Sequence, residues 1–246
     1  MSDRPVSIIF GGSGGIGSAV ARLRCQQNDQ VVVVGRSQEK VEAVGAELNC
    51  SIMVCDVTQS SQVESCFEQI LSKYNRIDQV VHAVGSILLK PIHLTTDREW
   101  QEVMDLNLNS AFFVVRSACK HMQAKGGNIV LFSSAAARLG LANHEAIAAA
   151  KSGIIGLTLS VAATYANRNI RINAVAPGLT KTALSSRITG NEASLKVSQG
   201  MHPLGRIGGA DEIARMVDFL MQPDNNWITG QIFGVDGGLG TVRSRT

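Results

Sequence analysis

Phe10-Gly11-Gly12-Ser13-Gly14-Gly15-Ile16-Gly17 is the stretch that decides the fold. It follows the apolar run Val6–Phe10 and leads into a segment of helical period over 16–27. A glycine-rich turn between a first strand and a first helix is a dinucleotide-binding arrangement. The glycines satisfy two spacings at once, Gly12-x-Gly14-x-x-Gly17 and Gly11-x-x-x-Gly15-x-Gly17. In either, glycine lets the backbone turn tightly and approach a pyrophosphate, and the helix N-terminus aims its positive end at that charge.

Outward from this turn, the runs Val31–Val34, Ser51–Cys55, Gln79–Ala83, Asn128–Phe132, Ile170–Val175 and Gln231–Val235 are rich in apolar and β-branched residues. Such runs are expected of strands covered on both faces. Helical periodicity is expected over 37–48, 59–74, 97–123, 144–166 and 210–221. The alternation predicts a parallel sheet with right-handed crossovers, in a single doubly wound, Rossmann-like α/β domain of about seven strands spanning residues 1–246. One segment, 180–206, is rich in Ser, Thr and Gly and has little strong periodicity. A stretch that long without clear structure is expected to be a substrate lid.

Composition excludes several classes of protein. With 246 residues, 45% apolar and 17% charged, the chain buries a substantial core and is not disordered. Lys+Arg 23 against Asp+Glu 20 gives +3, and the one basic concentration, Arg243-Ser244-Arg245, reads as a solvated tail. No nucleic-acid partner is expected. Cys25, Cys50, Cys55, Cys66 and Cys119 show neither C-x-x-C nor zinc spacing, so reduced thiols and no metal site are expected. No apolar segment of secretory length opens the chain and no run of 18 apolar residues occurs. The expectation is a cytoplasmic protein with no membrane partner.

The second strand says which nicotinamide cofactor the turn would hold. NAD binders place a carboxylate there for the ribose 2′-hydroxyl. Here the strand ends Gly35-Arg36-Ser37, and the next acid, Glu39, already lies in the following helix. Arg36 and Ser37 suit a 2′-phosphate through charge-assisted hydrogen bonds, which favours NADP(H).

Over nearly its full length the chain resembles the short-chain dehydrogenase/reductase family, close to its 3-oxoacyl-(acyl carrier protein) reductase branch. The resemblance rests on the glycine pattern at 11–17, Asp56-Val57, Asn107 in MDLNLNSAFF, Ser133-Ser134, AAAKSG at 148–153, and NAVAPG at 173–178 with Thr180 and Thr182. HPLGR at 202–206 and Val235-Asp236-Gly237-Gly238 complete it. By this resemblance Gly11, Ser13, Gly15, Ile16 and Gly17 would hold the pyrophosphate side, and Asp56 and Val57 the adenine. Ala83 and Gly85 would lie beside the cofactor, and Pro177, Gly178, Thr180 and Thr182 would border the nicotinamide. The implied substrate is a small molecule or an acyl thioester carrying a keto or enoyl group.

The resemblance also implies a catalytic Asn, Ser, Tyr and Lys, with the tyrosine four residues before the lysine. Asn107, Ser134 and Lys151 match, but the position four before Lys151 is Ile147. The family's N-N-A-G is here His82-Ala83-Val84-Gly85, and its usual threonine before the first glycine is Phe10. Hydride delivery to a carbonyl leaves an alkoxide that must be protonated, and loss of a positioned acid costs about 10²–10⁴-fold in rate. Lys151 also has a second implied role, on the nicotinamide ribose.

Neither tyrosine of the chain is placed to substitute. Tyr165 lies 14 residues past Lys151, roughly 21 Å further along a helix, and Tyr74 ends the helix before the fourth strand. His144 falls with Ile147 and Lys151 within roughly 60° of one helical face. Enoyl reductases of the superfamily carry their tyrosine seven before the lysine, the position His144 holds here. Its alternative reading is a surface residue that caps or precedes a helix start, helped by Asn143 as N-cap. His82 can be read as an acid or as the replacement of a structural asparagine. Two functions therefore stand: an NADP(H)-dependent oxidoreductase with His144 as acid, or an NADP(H)-binding protein without turnover. Small residues on the helix carrying Lys151, with the implied helix faces of the family, suggest a homo-oligomer, dimer or tetramer.

Overall fold

The structure is a computed structural model that describes residues 4–243; Ser244 and Arg245 of the basic tail lie outside them. Strands β1 (Val6–Phe10), β2 (Gln30–Gly35), β3 (Ser51–Val54), β4 (Gln79–His82), β5 (Gly127–Phe132), β6 (Ile170–Pro177) and β9 (Ile232–Val235) pair in parallel in the order β3-β2-β1-β4-β5-β6-β9. Two further short strands, β7 (Thr180–Lys181) and β8 (Gly208–Gly209), pair only with each other. Along β1, Ile8 and Phe10 enter one core while Ile9 enters the other, as the two-residue side-chain period requires. Helices α3 (Ser60–Tyr74), α5 (Ser110–Met122) and α6 (Glu145–Tyr165) cover the first face, and α1 (Gly15–Gln26), α2 (Gln38–Leu48) and α9 (Ala210–Met221) the second. The chain is therefore a single Rossmann-like α/β domain. The apolar runs of β3 and β9 are edge strands, only partly buried, with Val54 exposed.

Several helix ends were legible because their chemistry is local. Asn49 and Asn75 close α2 and α3 in the left-handed conformation that asparagine tolerates. Thr96 and Glu99 bond reciprocally across the first turn of α4 (Asp97–Met104), a capping box that fixes its start.

Three expectations need correction. The helix expected over 97–123 is interrupted: between α4 and α5, residues Asp105–Asn109 form a π turn. The segment 180–206 is ordered, folding into β7, α7 (Ser186–Thr189) and α8 (Glu192–Met201). Asn143 does not cap α6; it adopts a left-handed conformation, and His144 occupies the cap position without a side-chain capping bond. By length and composition, Glu145–Arg168 is the one described helix apolar enough to cross a membrane. Of its apolar side chains, Ile154 and Ala162 are buried in the core.

Candidate active site

Parallel strands deliver their C-terminal ends to one edge, and the cleft opens there, beside the β1/β4 switch in strand order. Gly11 has φ +76°, and a Cβ on it would lie 2.6 Å from the Ala83 carbonyl oxygen. A Cβ on Gly17 would lie 2.2 Å from the Gly11 oxygen. Only glycine allows this turn between β1, β4 and α1. No side chain caps the N-terminus of α1 and no acidic residue lies in its first turn, so its leading N–H groups can face an anion. Phe10 is fully buried and stacks on Phe67 at 5.7 Å, which explains an aromatic side chain just before the turn.

The neighbouring strand ends complete the cofactor side. Ser13 packs beside the buried Gly35, and Arg36 and Ser37 follow at the end of β2. Arg36 is exposed and pairs with no carboxylate among the described residues, so its guanidinium is available to a phosphate. Asp56 accepts from the N–H and hydroxyl of Thr58 just past β3, and Val57 is buried beneath it. Uncapped helix, close-approach glycines and unpaired arginine fit a nicotinamide dinucleotide.

The cleft itself brings Ile16, Ala83, Gly85, Asn107, Ser134, His144, Ile147, Lys151, Pro177, Gly178, Thr180 and Thr182 to one wall system. Lys151 is buried on α6, and its ammonium donates to the Phe132 carbonyl at 3.0 Å. Burial holds its pKa down to about 8. Ser134, just past β5, accepts from the Ala136 N–H at 3.1 Å, which leaves its hydroxyl proton to donate into the cleft. Next to it, Ser133 donates to the Lys151 carbonyl at 2.9 Å and ties β5 to α6.

Asn107 is fully buried in the π turn. Its amide donates to Val103 O at 2.9 Å, while its oxygen accepts from the Ser86 N–H at 3.1 Å. A Cβ on Gly85 would lie 2.9 Å from Asn107 Oδ1 and 3.4 Å from Lys151 Nζ, so the two side chains converge over this glycine. His82 is buried at the end of β4, with Nε2 3.0 Å from Ser110 Oγ. That hydroxyl donates to Leu106 O, so Nε2 carries the proton. Burial, and then the nearby Lys151, push His82 down to about 3. It is a neutral strut between β4 and α5 at neutral pH.

His144 lines the cleft, and its Nδ1 donates to Ala142 O at 2.7 Å. The ring is thereby oriented, with Nε2 left for another partner. Tyr74 bonds Ser51 at 2.7 Å and Tyr165 packs beside the core; neither lines the cleft. The cleft is also lined by Ile87, Leu89, Leu184, Ile188, Met201 and the buried His202, side chains that no motif in the sequence singles out one by one. Leu184, Ile188 and Met201 were hidden in a segment read as irregular. All five cysteines are free.

A doubly wound parallel sheet with this turn and this Asn, Ser and Lys cleft defines an oxidoreductase fold that uses a nicotinamide cofactor. The chain belongs to the short-chain dehydrogenase/reductase family: residues 11–240 match the family model described as Enoyl-(Acyl carrier protein) reductase. It is 32% identical over 240 residues to the 3-oxoacyl-[acyl-carrier-protein] reductase FabG of Thermotoga maritima, covering 95% of this chain and 97% of that one. Carbonyl reductase family member 4 of Xenopus laevis is 35% identical over 240 residues, with the same coverage of 95% and 97%. Among solved structures, an actinorhodin polyketide ketoreductase variant with NADPH superposes with TM-score 0.93 at 25% identity, covering 98% of each chain. ElxO with NADP bound gives 0.90 at 32%, covering 96% of this chain and 98% of that one.

Proposed function

We propose that the chain is an NADP(H)-dependent reductase of a carbonyl group, with an enoyl group as the alternative acceptor, that uses His144 in place of the family's tyrosine. The observation that carries this reading is one cleft wall holding Ser134, Lys151, Asn107 and His144, with Ile147 between His144 and Lys151 on α6. Ile147 has no proton to give. NADPH, when bound, supplies the hydride. The Ser134 hydroxyl donates to the substrate oxygen and polarises it. His144, oriented through Nδ1, must be imidazolium for Nε2 to protonate the developing alkoxide. Carbon receives the hydride, oxygen the proton, and the product is an alcohol. Lys151 would hold the nicotinamide ribose, and Asn107 fixes the π turn beside it. Arg36 and Ser37 would hold the 2′-phosphate, which selects NADP(H) over NAD(H).

The similarity to a 3-oxoacyl reductase, a carbonyl reductase and a polyketide ketoreductase favours a keto substrate, small or carried as an acyl thioester. The apolar wall of Ile87, Leu89, Leu184, Ile188 and Met201 suits its hydrocarbon part. We assign 180–206 as the lid and 85–96 as the facing loop, in a cytoplasmic homo-oligomer. A second reading, an NADP(H)-binding protein without turnover, rests on Ile147 alone. The test is NADPH oxidation against ketones, β-ketoacyl thioesters and enoyl thioesters. Turnover that falls about 10²-fold or more in His144→Ala is expected. Tight NADPH binding without turnover, with activity appearing only in Ile147→Tyr, overturns the reductase reading.

A further inference from the structure

We propose that His202 is a positioning residue: a neutral imidazole latch that locks α8 to the turn at 177–182 and so holds the cofactor-facing wall in place. His202 sits one residue past α8 and is 4% exposed. Its Nε2 lies 3.2 Å from the Leu179 N–H nitrogen, and its Nδ1 lies 2.6 Å from the Ser198 carbonyl oxygen. A backbone N–H can only donate and a carbonyl can only accept, so Nε2 must be the acceptor and Nδ1 the donor. One protonation state and one tautomer satisfy both. The fit is close: a Cβ on Gly178 would lie 2.7 Å from Nε2, and one on Gly237 would lie 3.6 Å from the ring. His202 thus touches α8, the turn after β6 and the turn after β9 at once, and it lines the cleft that holds Lys151.

Protonation would turn Nε2 into a donor facing the Leu179 N–H and open the latch. Among the described residues no carboxylate bonds the ring, and the charged groups around it have partners of their own. Asp236 is engaged by the N–H groups of Gly238 and Gly240. Arg206 and Glu212, across the adjoining cavity, pair with each other at 2.7 Å. Lys151, in the shared cleft, is bonded to Phe132 O. An imidazolium has no lone pair left on Nε2 for the Leu179 N–H, whatever charge lies nearby, so protonation is expected to release α8.

The consequence for cofactor affinity rests on the reading that 177–182 borders the nicotinamide; the latch itself does not. The experiment compares wild type, His202→Gln and His202→Leu by amide hydrogen exchange over 179–201 without cofactor, and by NADPH affinity from fluorescence across about pH 5 to 8. Glutamine can accept through Oε1 and donate through Nε2, whereas leucine can do neither. Expected are exchange at Leu179 and through α8 at least 10-fold faster in His202→Leu, and near wild-type exchange in His202→Gln. Wild-type affinity should fall on acidification by a component that His202→Gln lacks. Unchanged exchange in His202→Leu overturns the latch. So does a pH dependence of affinity identical in wild type and His202→Gln. If wild type fails to bind NADPH at all, the functional reading fails, and the exchange measurement still decides the latch.

Discussion

Lys151 shows what a buried lysine costs the fold. Its ammonium is buried, its one bonded partner among the described residues is the Phe132 carbonyl, and its pKa falls from 10.5 to about 8. A lysine whose folded pKa lies below its unfolded value destabilises the protein wherever it is charged in both states, here below about 8. The cost is relieved as pH rises from about 8 to 10.5. Lys151→Met should therefore raise stability at neutral pH by about 1–2 kcal/mol, after allowing for cleft water and the lost bond to Phe132 O. Urea unfolding should show that gain shrinking as pH is raised towards 10.5. A loss of stability at every pH would mean that the ammonium is a structural clamp. Arg36 has the opposite character: it is exposed and unpaired among the described residues, so its removal costs the fold little. Arg36→Ala should weaken NADPH about 10- to 100-fold and NADH hardly at all, since a charge-assisted bond is worth about 1.5–3 kcal/mol. Equal losses for both cofactors, measured by fluorescence titration, would remove the 2′-phosphate from its role.

At the scale of elements, the sequence was readable where the signal is local. The glycine turn and the helix limits expected at 48, 74 and 97 are matched, and the caps the structure shows at those limits act within one or two turns of chain. The π turn was not readable, because Asn107 reads as one more residue of a helical period until its amide is seen on Val103 O. The order in 182–201 was missed for a related reason. Its buried anchor Ser185 bonds Thr180 O at 2.6 Å and His202 reaches Leu179, contacts that leave no periodic trace. His82 belongs to this scale because it braces β4 against α5 through Ser110. Its pKa is about 3 in the fold against 6.5 in a free imidazole, so the unfolded chain binds the extra proton first. Stability should drain as pH falls below 6.5, by about 1.4 kcal/mol per unit, or about 2 kcal/mol by pH 5. His82→Gln should lose about that much less between neutral pH and about pH 5 in urea melts. An identical acid slope would show that other groups govern acid unfolding.

At the scale of the whole molecule, alternating buried runs made the parallel sheet legible, yet no local rule reveals that residues 85, 107, 134, 151 and 178 meet. That meeting follows from strand order, with β4, β5 and β6 side by side and all their C-terminal ends on one edge. The same long-range logic bears on assembly. On α6 the small residues divide by face. Gly153 is filled from inside, since a Cβ there would lie 2.7 Å from Leu108, whereas a Cβ on Gly156 meets nothing within 4 Å. Ala149, Ser152, Gly156 and Leu159 are exposed together, and on the adjacent α5 Phe112 is 45% exposed beneath the Arg116 guanidinium. Such a surface lets a second helix approach closely, and a glycine that costs about 0.5–1 kcal/mol in a helix interior is otherwise hard to justify. Gly156→Glu combined with Leu159→Glu puts two charges on this face without touching the core. Light scattering should then show a wild-type dimer or tetramer and a monomeric variant whose circular dichroism is unchanged. A variant that keeps the wild-type mass would place any assembly on another face and leave Gly156 without an explanation.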